Sequence, residues 1–366
     1  FFFKPNCVCY STVLKAWARG NAPQNITLSA VDGILQKMES SNDVDIRPNC
    51  ITYKIAMDAY CRHDTISCGV RSQKLVDRMI KLYAEVDGFD RVKPTVMVMN
   101  TLINAWSLSD HPHATRNAET IFRWMESQFA SGDETLRPNE ISLCNVLNAY
   151  ANNARKGGAA RAQQIMDHIE MAASAGNGEI IPLTVQQYNV LIKAWGRSGE
   201  IDSVDRAERI LHQLERRYNN GEDTLKPDLT TYSSVINSAA YFNGGNEDAS
   251  REEALNVALR TYERLKASDG IEANSIVYGT LLKAIAKLTT VGPRRDELMH
   301  KFFVECCEAG QVDSFVMSQF RFGSSMAQYR SLVLDPCCLS DEQGCTLQRV
   351  QRCIPPSWTR SVAKMT

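Results

Sequence analysis

Apolar residues recur along this chain at positions i, i+3, i+4 and i+7. Tyr10, Val13, Leu14 and Trp17 keep the spacing, as do Met99, Leu102, Ile103 and Trp106, and Tyr188, Leu191, Ile192 and Trp195. Residues so spaced share one face of an α-helix. A second family of segments repeats the pattern: Ala118, Ile121, Phe122 and Met125; Ala162, Ile165, Met166 and Ile169; Ala207, Ile210, Leu211 and Leu214. Polar, Gly-rich stretches such as 219–226 and 243–249 separate the segments. Asn6, Asn49, Thr95, Asn139, Asp228 and Asn274 stand just ahead of the first segments. Their side-chain oxygens accept bonds from the unpaired N–H groups of a helix start. The pattern therefore predicts pairs of helices, each pair opened by a cap.

The pairs repeat. Proline recurs at Pro5, Pro48, Pro94, Pro138, Pro182 and Pro227, with gaps of 43, 46, 44, 44 and 45, and Ala273 follows 46 later. Trp17, Tyr60, Trp106, Tyr150, Trp195, Ala239 and Ile285 keep the same beat within one residue. Residues 100–106 (NTLINAW) match 189–195 (NVLIKAW), and 132–138 (GDETLRP) match 221–227 (GEDTLKP). One helical hairpin cannot bury both its apolar faces, but stacked neighbours can. The expectation is an all-α solenoid of about seven helix-turn-helix repeats over residues 5–310. Residues 1–4 are read as the remnant of an incomplete N-terminus, and 311–366 as a C-terminal segment capping the last apolar face.

Composition narrows the function classes. Hydrophobic residues make up 44 % and charged residues 23 % of 366, as in ordinary folded proteins. No run of about 18 apolar residues is present, so no membrane-spanning helix is expected. Lys and Arg total 41 against 42 Asp and Glu, so anion binding would need a local patch. There is no GxxxxGK[ST] loop, no HExxH and no paired CxxC. Cys337, Cys338, Cys345 and Cys353 fit no common zinc spacing, and His111-Pro112-His113 lies in a linker. Most of the other cysteines sit singly in apolar stretches and, with the doublet Cys306-Cys307, read as buried thiols. No metal, cofactor or catalytic cluster is expected.

The opposite face of each first helix carries a second pattern. One residue after the first anchor stand Ser11, Lys54, Asn100, Cys144, Asn189, Ser233 and Gly279. Four further on come Lys15, Asp58, Asn104, Asn148, Lys193, Asn237 and Lys283, and four more give Arg19, Arg62, Leu108, Asn152, Arg197, Tyr241 and Lys287. Positions i, i+4 and i+8 run down one side of a helix. Three residues ahead of the small polar group stand Val8, Ile51, Met97, Ile141, Gln186, Thr230 and Ile276, mostly apolar.

This arrangement resembles the pentatricopeptide repeat family. The stretches that carry the resemblance are Lys93-Pro94 through Ala105, Lys226-Pro227-Asp228 through Asn237, and Tyr188-Asn189-Val190-Leu191-Ile192. The ending Ile354-Pro355-Pro356-Ser357-Trp358-Thr359-Arg360-Ser361-Val362 is similar to that of long-repeat members in algae and related protists. Family units have about 35 residues, and the surplus here falls in the polar linkers. The resemblance implies a right-handed superhelix that binds single-stranded RNA, one base per repeat. It also implies work in organellar RNA processing, stabilisation or translation, in a mitochondrion or plastid, without catalysis and beside other RNA-processing proteins. By resemblance the base readers pair across units: Ser11 with Asn49, Asn100 with Asn139, Asn189 with Asp228, and Ser233 with Asn274. Lys54 with Thr95 and Cys144 with Thr184 lie outside the pairing rule, and Gly279 has no assignable partner. Val8, Ile51, Met97, Ile141 and Ile276 would pack on base faces. Lys15, Arg19, Arg62, Lys193, Arg197, Lys283 and Lys287 would meet phosphates. Two plainer readings stand beside these. Asn49, Asn139, Asp228 and Asn274 serve equally as simple caps, and the Lys row looks like any solvated helix face. A tetratricopeptide-like protein-binding scaffold is the rival function, and the near-zero net charge favours it.

Overall fold

A computed structural model of the chain describes residues 4–86, 89–153, 157–174, 181–243, 248–334 and 354–359. Cys337, Cys338, Cys345 and Cys353, with residues 335–353 and 360–366 of the expected C-terminal segment, lie outside the described residues. Among the described residues the secondary structure is helical, with no strand. The chain divides into two compact units, Phe1–Leu183 and Thr184–Thr366.

The first unit holds α1 (Cys7–Arg19), α2 (Gln24–Glu39), α3 (Cys50–His63), α4 (Cys68–Glu85), α5 (Val96–Leu108), α6 (Ala114–Ala130), α7 (Glu140–Asn152) and α8 (Gly158–Ser174). The odd-numbered helices pack successively, α1 on α3, α3 on α5 and α5 on α7. Each even-numbered helix lies against its own partner, and α2, α4 and α6 also against the first helix of the next pair. This is the stacked-hairpin arrangement expected of a solenoid.

The second unit repeats it with α9 (Val185–Ser198), α10 (Ser203–Asn219), α11 (Leu229–Ala240), α12 (Asp248–Ala267), α13 (Ser275–Leu288) and α14 (Pro293–Glu308). Two further helices follow, α15 (Ser314–Gly323) and the short α16 (Met326–Tyr329). Here α9, α11, α13 and α15 form the first-helix layer. Thus α15, inside the segment read as a cap, continues the layer as an eighth first helix. Asp313 caps it by accepting from Val316 N–H at 2.8 Å. The Phe303 ring stacks on Phe320 at 3.8 Å between centroids, and Trp358 meets Phe303 edge-on at 5.8 Å. The Val312 N–H donates to the Trp358 carbonyl at 2.8 Å, fixing residues 354–359 against α14.

The apolar faces account for the layers. Leu14, Met57, Leu102, Leu147, Leu191, Ile236 and Leu282 are buried on the first helices, and Leu35, Phe122 and Leu211 on the second. Fully burying such a side chain stabilises by about 1.5–3 kcal/mol. Two glycines allow close contacts. A methyl group on Gly69 would stand 2.5 Å from the Trp106 ring, and one on Gly196 would stand 2.8 Å from Ser238 Cβ. The caps form largely as the sequence suggests. Asn6, Asn49, Asn139, Asp228 and Asn274 each accept from a backbone N–H of the first turn. Thr95 occupies its N-cap position without a side-chain bond. Cys7, Cys68, Cys306 and Cys307 are buried thiols, while Cys9 is exposed.

A polar tie repeats along the outer side. A carboxylate of one second helix receives a Tyr from the next first helix and an Arg from the next second helix. Glu39 takes the Tyr53 hydroxyl at 2.5 Å and Arg78 at 3.0 Å. Glu119 takes Tyr150 at 2.6 Å and Arg161 at 2.5 Å. In the second unit, Glu215 takes Tyr232 at 3.3 Å and Arg264 at 3.0 Å.

Burial pushes the Glu119 carboxyl up, but bonds from Arg161 and Tyr150 outweigh it and leave the carboxyl below its usual range. A group whose folded pKa is depressed adds stability that is present above its unfolded value and lost as pH falls through the folded one. The melting temperature should therefore decline as pH falls below about 4.5, the ordinary value for this group. Glu119→Gln should melt lower at pH 7, by the equivalent of about 1–2 kcal/mol, and decline less steeply with acid. Parallel acid profiles for the parent and Glu119→Gln, read by circular dichroism, would show that the tie contributes nothing.

Candidate nucleic-acid interface

Each first helix is covered on two sides, by its own partner and by neighbouring first helices. Its remaining strip carries the polar pattern seen in the sequence. Charge is segregated accordingly. The seven second helices, α2 to α14, carry Lys/Arg and Asp/Glu in equal number, nineteen of each. In the second unit α9, α11, α13 and α15 carry Lys193, Arg197, Lys283, Lys287 and Arg321 with no carboxylate. In the first unit α1, α3, α5 and α7 carry Lys15, Arg19, Lys54 and Arg62 against Asp58 and Glu140. The local positive patch that the neutral total conceals thus lies on the first helices.

At three seams the expected reader pairs are brought together by the capping network. Asn100 Nδ2 donates to Asn139 Oδ1 at 3.0 Å, and Ser142 Oγ donates to Asn100 Oδ1 at 2.6 Å. Asn139 Oδ1 also accepts from Ser142 N–H at 3.1 Å, which turns the Asn139 amide nitrogen outward. Asn189 Nδ2 donates to Asp228 Oδ1 at 3.1 Å, and that oxygen also accepts from Thr231 N–H at 2.8 Å and from its hydroxyl at 2.9 Å. Ser11 Oγ meets Thr52 Oγ1 at 3.0 Å, and Thr52 donates to Asn49 Oδ1 at 3.1 Å. Cap and pair are thus one network, so the two readings of these residues coincide in space.

The two Asn readers differ. Asn100 and Asn189 are buried to 7 % and 9 % exposure, set into the seam rather than projecting from it. Both amide ends of Asn100 are bonded. At the other seam the Thr231 hydroxyl is drawn to the Asp228 carboxylate, and Asn189 Oδ1 is left buried without a partner. The Asn100 pair therefore leaves an amide donor on Asn139, while the Asn189 pair leaves an acceptor, Asp228 Oδ2, with Asn189 Oδ1 buried behind it.

Other expected positions behave differently. The Ser233 hydroxyl donates to the Thr230 carbonyl of its own helix at 3.1 Å, and Asn274 caps Val277, so this pair is not joined. Lys54 is held by Asp58 at 2.6 Å. Cys144 and Thr184 fall in different units, and burial pushes the Cys144 thiol up to about 11. Gly279, expected to lack a partner, lies under the Phe315 ring: a Cβ there would meet it at 2.4 Å. Val8, Ile51, Ile141 and Ile276 are each more than half exposed, and Met97 is half-buried. Large apolar side chains held in solvent at the matching position of four repeats are an unusual pattern for a surface.

Lys15, Arg19, Arg62, Arg197 and Lys287 are exposed, and Lys193 and Lys283 half-buried. Burial, and after it Arg197, holds the Lys193 ammonium below its usual range. Sequence reasoning missed the hydroxyls of Thr52 and Ser142, which join cap to expected reader, and that of Thr231, which bonds the cap alone. The signal was present, since each stands three residues after its cap, as a capping box requires. Among the described residues no helix is long and apolar enough to cross a membrane. No protein-family model matches the chain, and no curated protein matches it.

The difference in bonding gives a stability test. Asn100→Ala removes two buried bonds and leaves Ser142 and Asn139 bonded only to each other, whereas Asn189→Ala removes one bond and an unpaired oxygen. Asn100→Ala should cost about 1 kcal/mol more in urea unfolding than Asn189→Ala. An equal or reversed order would show that the seam bonds do not hold in solution.

Proposed function

We propose that this chain binds single-stranded RNA along its first-helix layer, as pentatricopeptide repeat proteins do, without catalysing a reaction. In this reading the hairpins wind into a right-handed superhelix of about seven repeats. The protein acts by occupancy, shielding a strand or recruiting an enzyme, in the RNA processing, stabilisation or translation of a mitochondrion or plastid. Other organellar RNA-processing proteins are its partners in the same reading. The observation that carries it is the recurrence of a polar pair between consecutive first helices, Asn100 with Asn139 and Asn189 with Asp228. The first of these pairs lies beside Met97 and Ile141, apolar side chains for base faces, and the second beside Lys193 and Arg197, cations for phosphates.

The pairs assign bases. An outward amide nitrogen at Asn139 donates to the ring nitrogen or carbonyl of a pyrimidine such as cytosine. The carboxylate at Asp228 accepts the N3–H of uracil, which cytosine lacks. Ser11 with Asn49 and Ser233 with Asn274 favour adenine by the family resemblance. The other units are indifferent. The preferred strand, 5′ to 3′, is adenine, any, pyrimidine, any, uracil, adenine, any.

Selection from a random RNA pool tests this. Asp228→Asn should turn the fifth base from uracil toward cytosine, with about 1–3 kcal/mol of discrimination if the pairing resembles groove readout. The other positions should be unchanged. Asn caps as well as Asp, so the melting temperature should hold. The same base selected by parent and Asp228→Asn would refute reading by this pair. A protein-binding scaffold is the second reading, favoured by the exposed Val8, Ile51 and Ile141, and it predicts that no sequence is enriched at all.

A further inference from the structure

One side chain of the first-helix layer is unlike its counterparts. Tyr241 follows α11 directly, at the position where other units carry Arg19, Arg62 or Lys287, and it is 47 % exposed. Tyr60, Trp106, Tyr150 and Trp195 of the repeat beat are instead buried. Lys283 Nζ lies 3.8 Å from the centroid of the Tyr241 ring, and Lys287 Nζ lies 6.0 Å from it. Lys287 also reaches Asn243 Oδ1 at 3.2 Å. A hydrogen bond and the charge of Lys283, together with Arg197 and Lys287, outweigh burial and hold the tyrosine hydroxyl below its usual range. Arg197 in turn acts on Lys193, one turn earlier on α9. Two lysines of α13 thus lie against one exposed aromatic ring at the end of α11, and the charges that act most on its hydroxyl, those of Lys283, Arg197 and Lys287, are positive.

The helix dipole accounts for part of this. A cation at a helix C-terminus is favoured by about 0.3–1 kcal/mol, which suits Arg197 and Lys287 one at a time. It gives no reason for two lysines of α13 to gather around a ring at the end of α11. An exposed ring face does fix the direction of an ammonium, and a fixed ammonium with a second one beside it suits a bound oxyanion.

We infer that Tyr241 is a positioning residue that aims Lys283, with Lys287 beside it, at a phosphate held where the C-terminal ends of α11 and α13 meet. The inference deepens the RNA reading and rests on it for its expected ligand, a phosphodiester of the strand. A free phosphate has the same chemistry and is the other source. The site would grip the backbone beyond the paired bases, and sequence would not matter to it.

The test measures affinity for a random single-stranded oligonucleotide by fluorescence anisotropy at several salt concentrations, and for pyrophosphate by calorimetry. Each phosphate contact on a single strand contributes about 0.7 to the slope of log affinity against log salt. Lys283→Gln with Lys287→Gln should weaken RNA several-fold at low salt and reduce the slope by about 0.7–1.4. Tyr241→Ala should lose as much as Lys283→Gln alone, and the two together no more than either, because the ring acts through the lysine. Tyr241→Phe should bind nearly as the parent. If RNA binds and either the lysine variants or Tyr241→Ala keep parental affinity and slope, the inference is overturned while the RNA reading stands. If RNA fails to bind but pyrophosphate binds the parent and not the lysine variant, the site stands with free phosphate as ligand and the RNA reading falls. If neither ligand binds, both are overturned.

Discussion

A helix that is apolar on two sides cannot end a structure in water. The first helix of each hairpin here buries one side against its own partner and another against the first helices beside it, and this requirement repeats the fold along each unit. It also leaves one strip of each first helix uncovered. Leu14, Leu102 and Leu191 lie on the covered faces of α1, α5 and α9. Lys15, Met97 and Arg197 lie on the strips that remain. The surface available for function is thus a consequence of packing.

The same constraint sorts the charges. Second helices face solvent broadly, and their acids and bases answer one another, as in the Glu39, Glu119 and Glu215 ties. Each tie reaches the next pair through a tyrosine, so it holds the stack while satisfying a buried hydroxyl. Exposed ion pairs contribute little individually, and the shielded carboxylates with bonded tyrosines contribute more. The first helices have almost no acids to answer their bases. A chain with a formal charge of −1 thereby carries a positive face, and electrostatic attraction acts through that face.

Much of this was legible in the sequence, because helix periodicity and capping are local. The spacing of Tyr188, Leu191, Ile192 and Trp195 implies a helix, and Asp228 implies the start of the next. What could not be read depends on neighbours. Nothing local says that Asn100 and Asn189 sink into the seam, since that follows from the approach of α7 to α5 and of α11 to α9. Ser233 looks equivalent to Asn189, yet its short side chain finds the Thr230 carbonyl and never reaches Asn274. The eighth first helix was hidden because it comes 39 residues after the previous cap, Asn274 to Asp313, and falls off the beat. Phe315 then covers Gly279, where no side chain stands in its way. Tyr241 stood in the polar row, but its role emerges only from Lys283, 42 residues on.

The central claim is that one layer of helices receives a single strand of RNA while the other holds the stack. Amide hydrogen exchange with and without a random single-stranded RNA pool measures this directly, because each layer is read from its own peptides. Bound RNA should slow exchange in the first turns of α7 and α11, around Asn139 and Asp228, and at the end of α13 near Lys287. It should leave the outer faces of α6, α10 and α12 unchanged. Slowing confined to the second helices, or none with RNA at concentrations that saturate a micromolar site, would contradict the account.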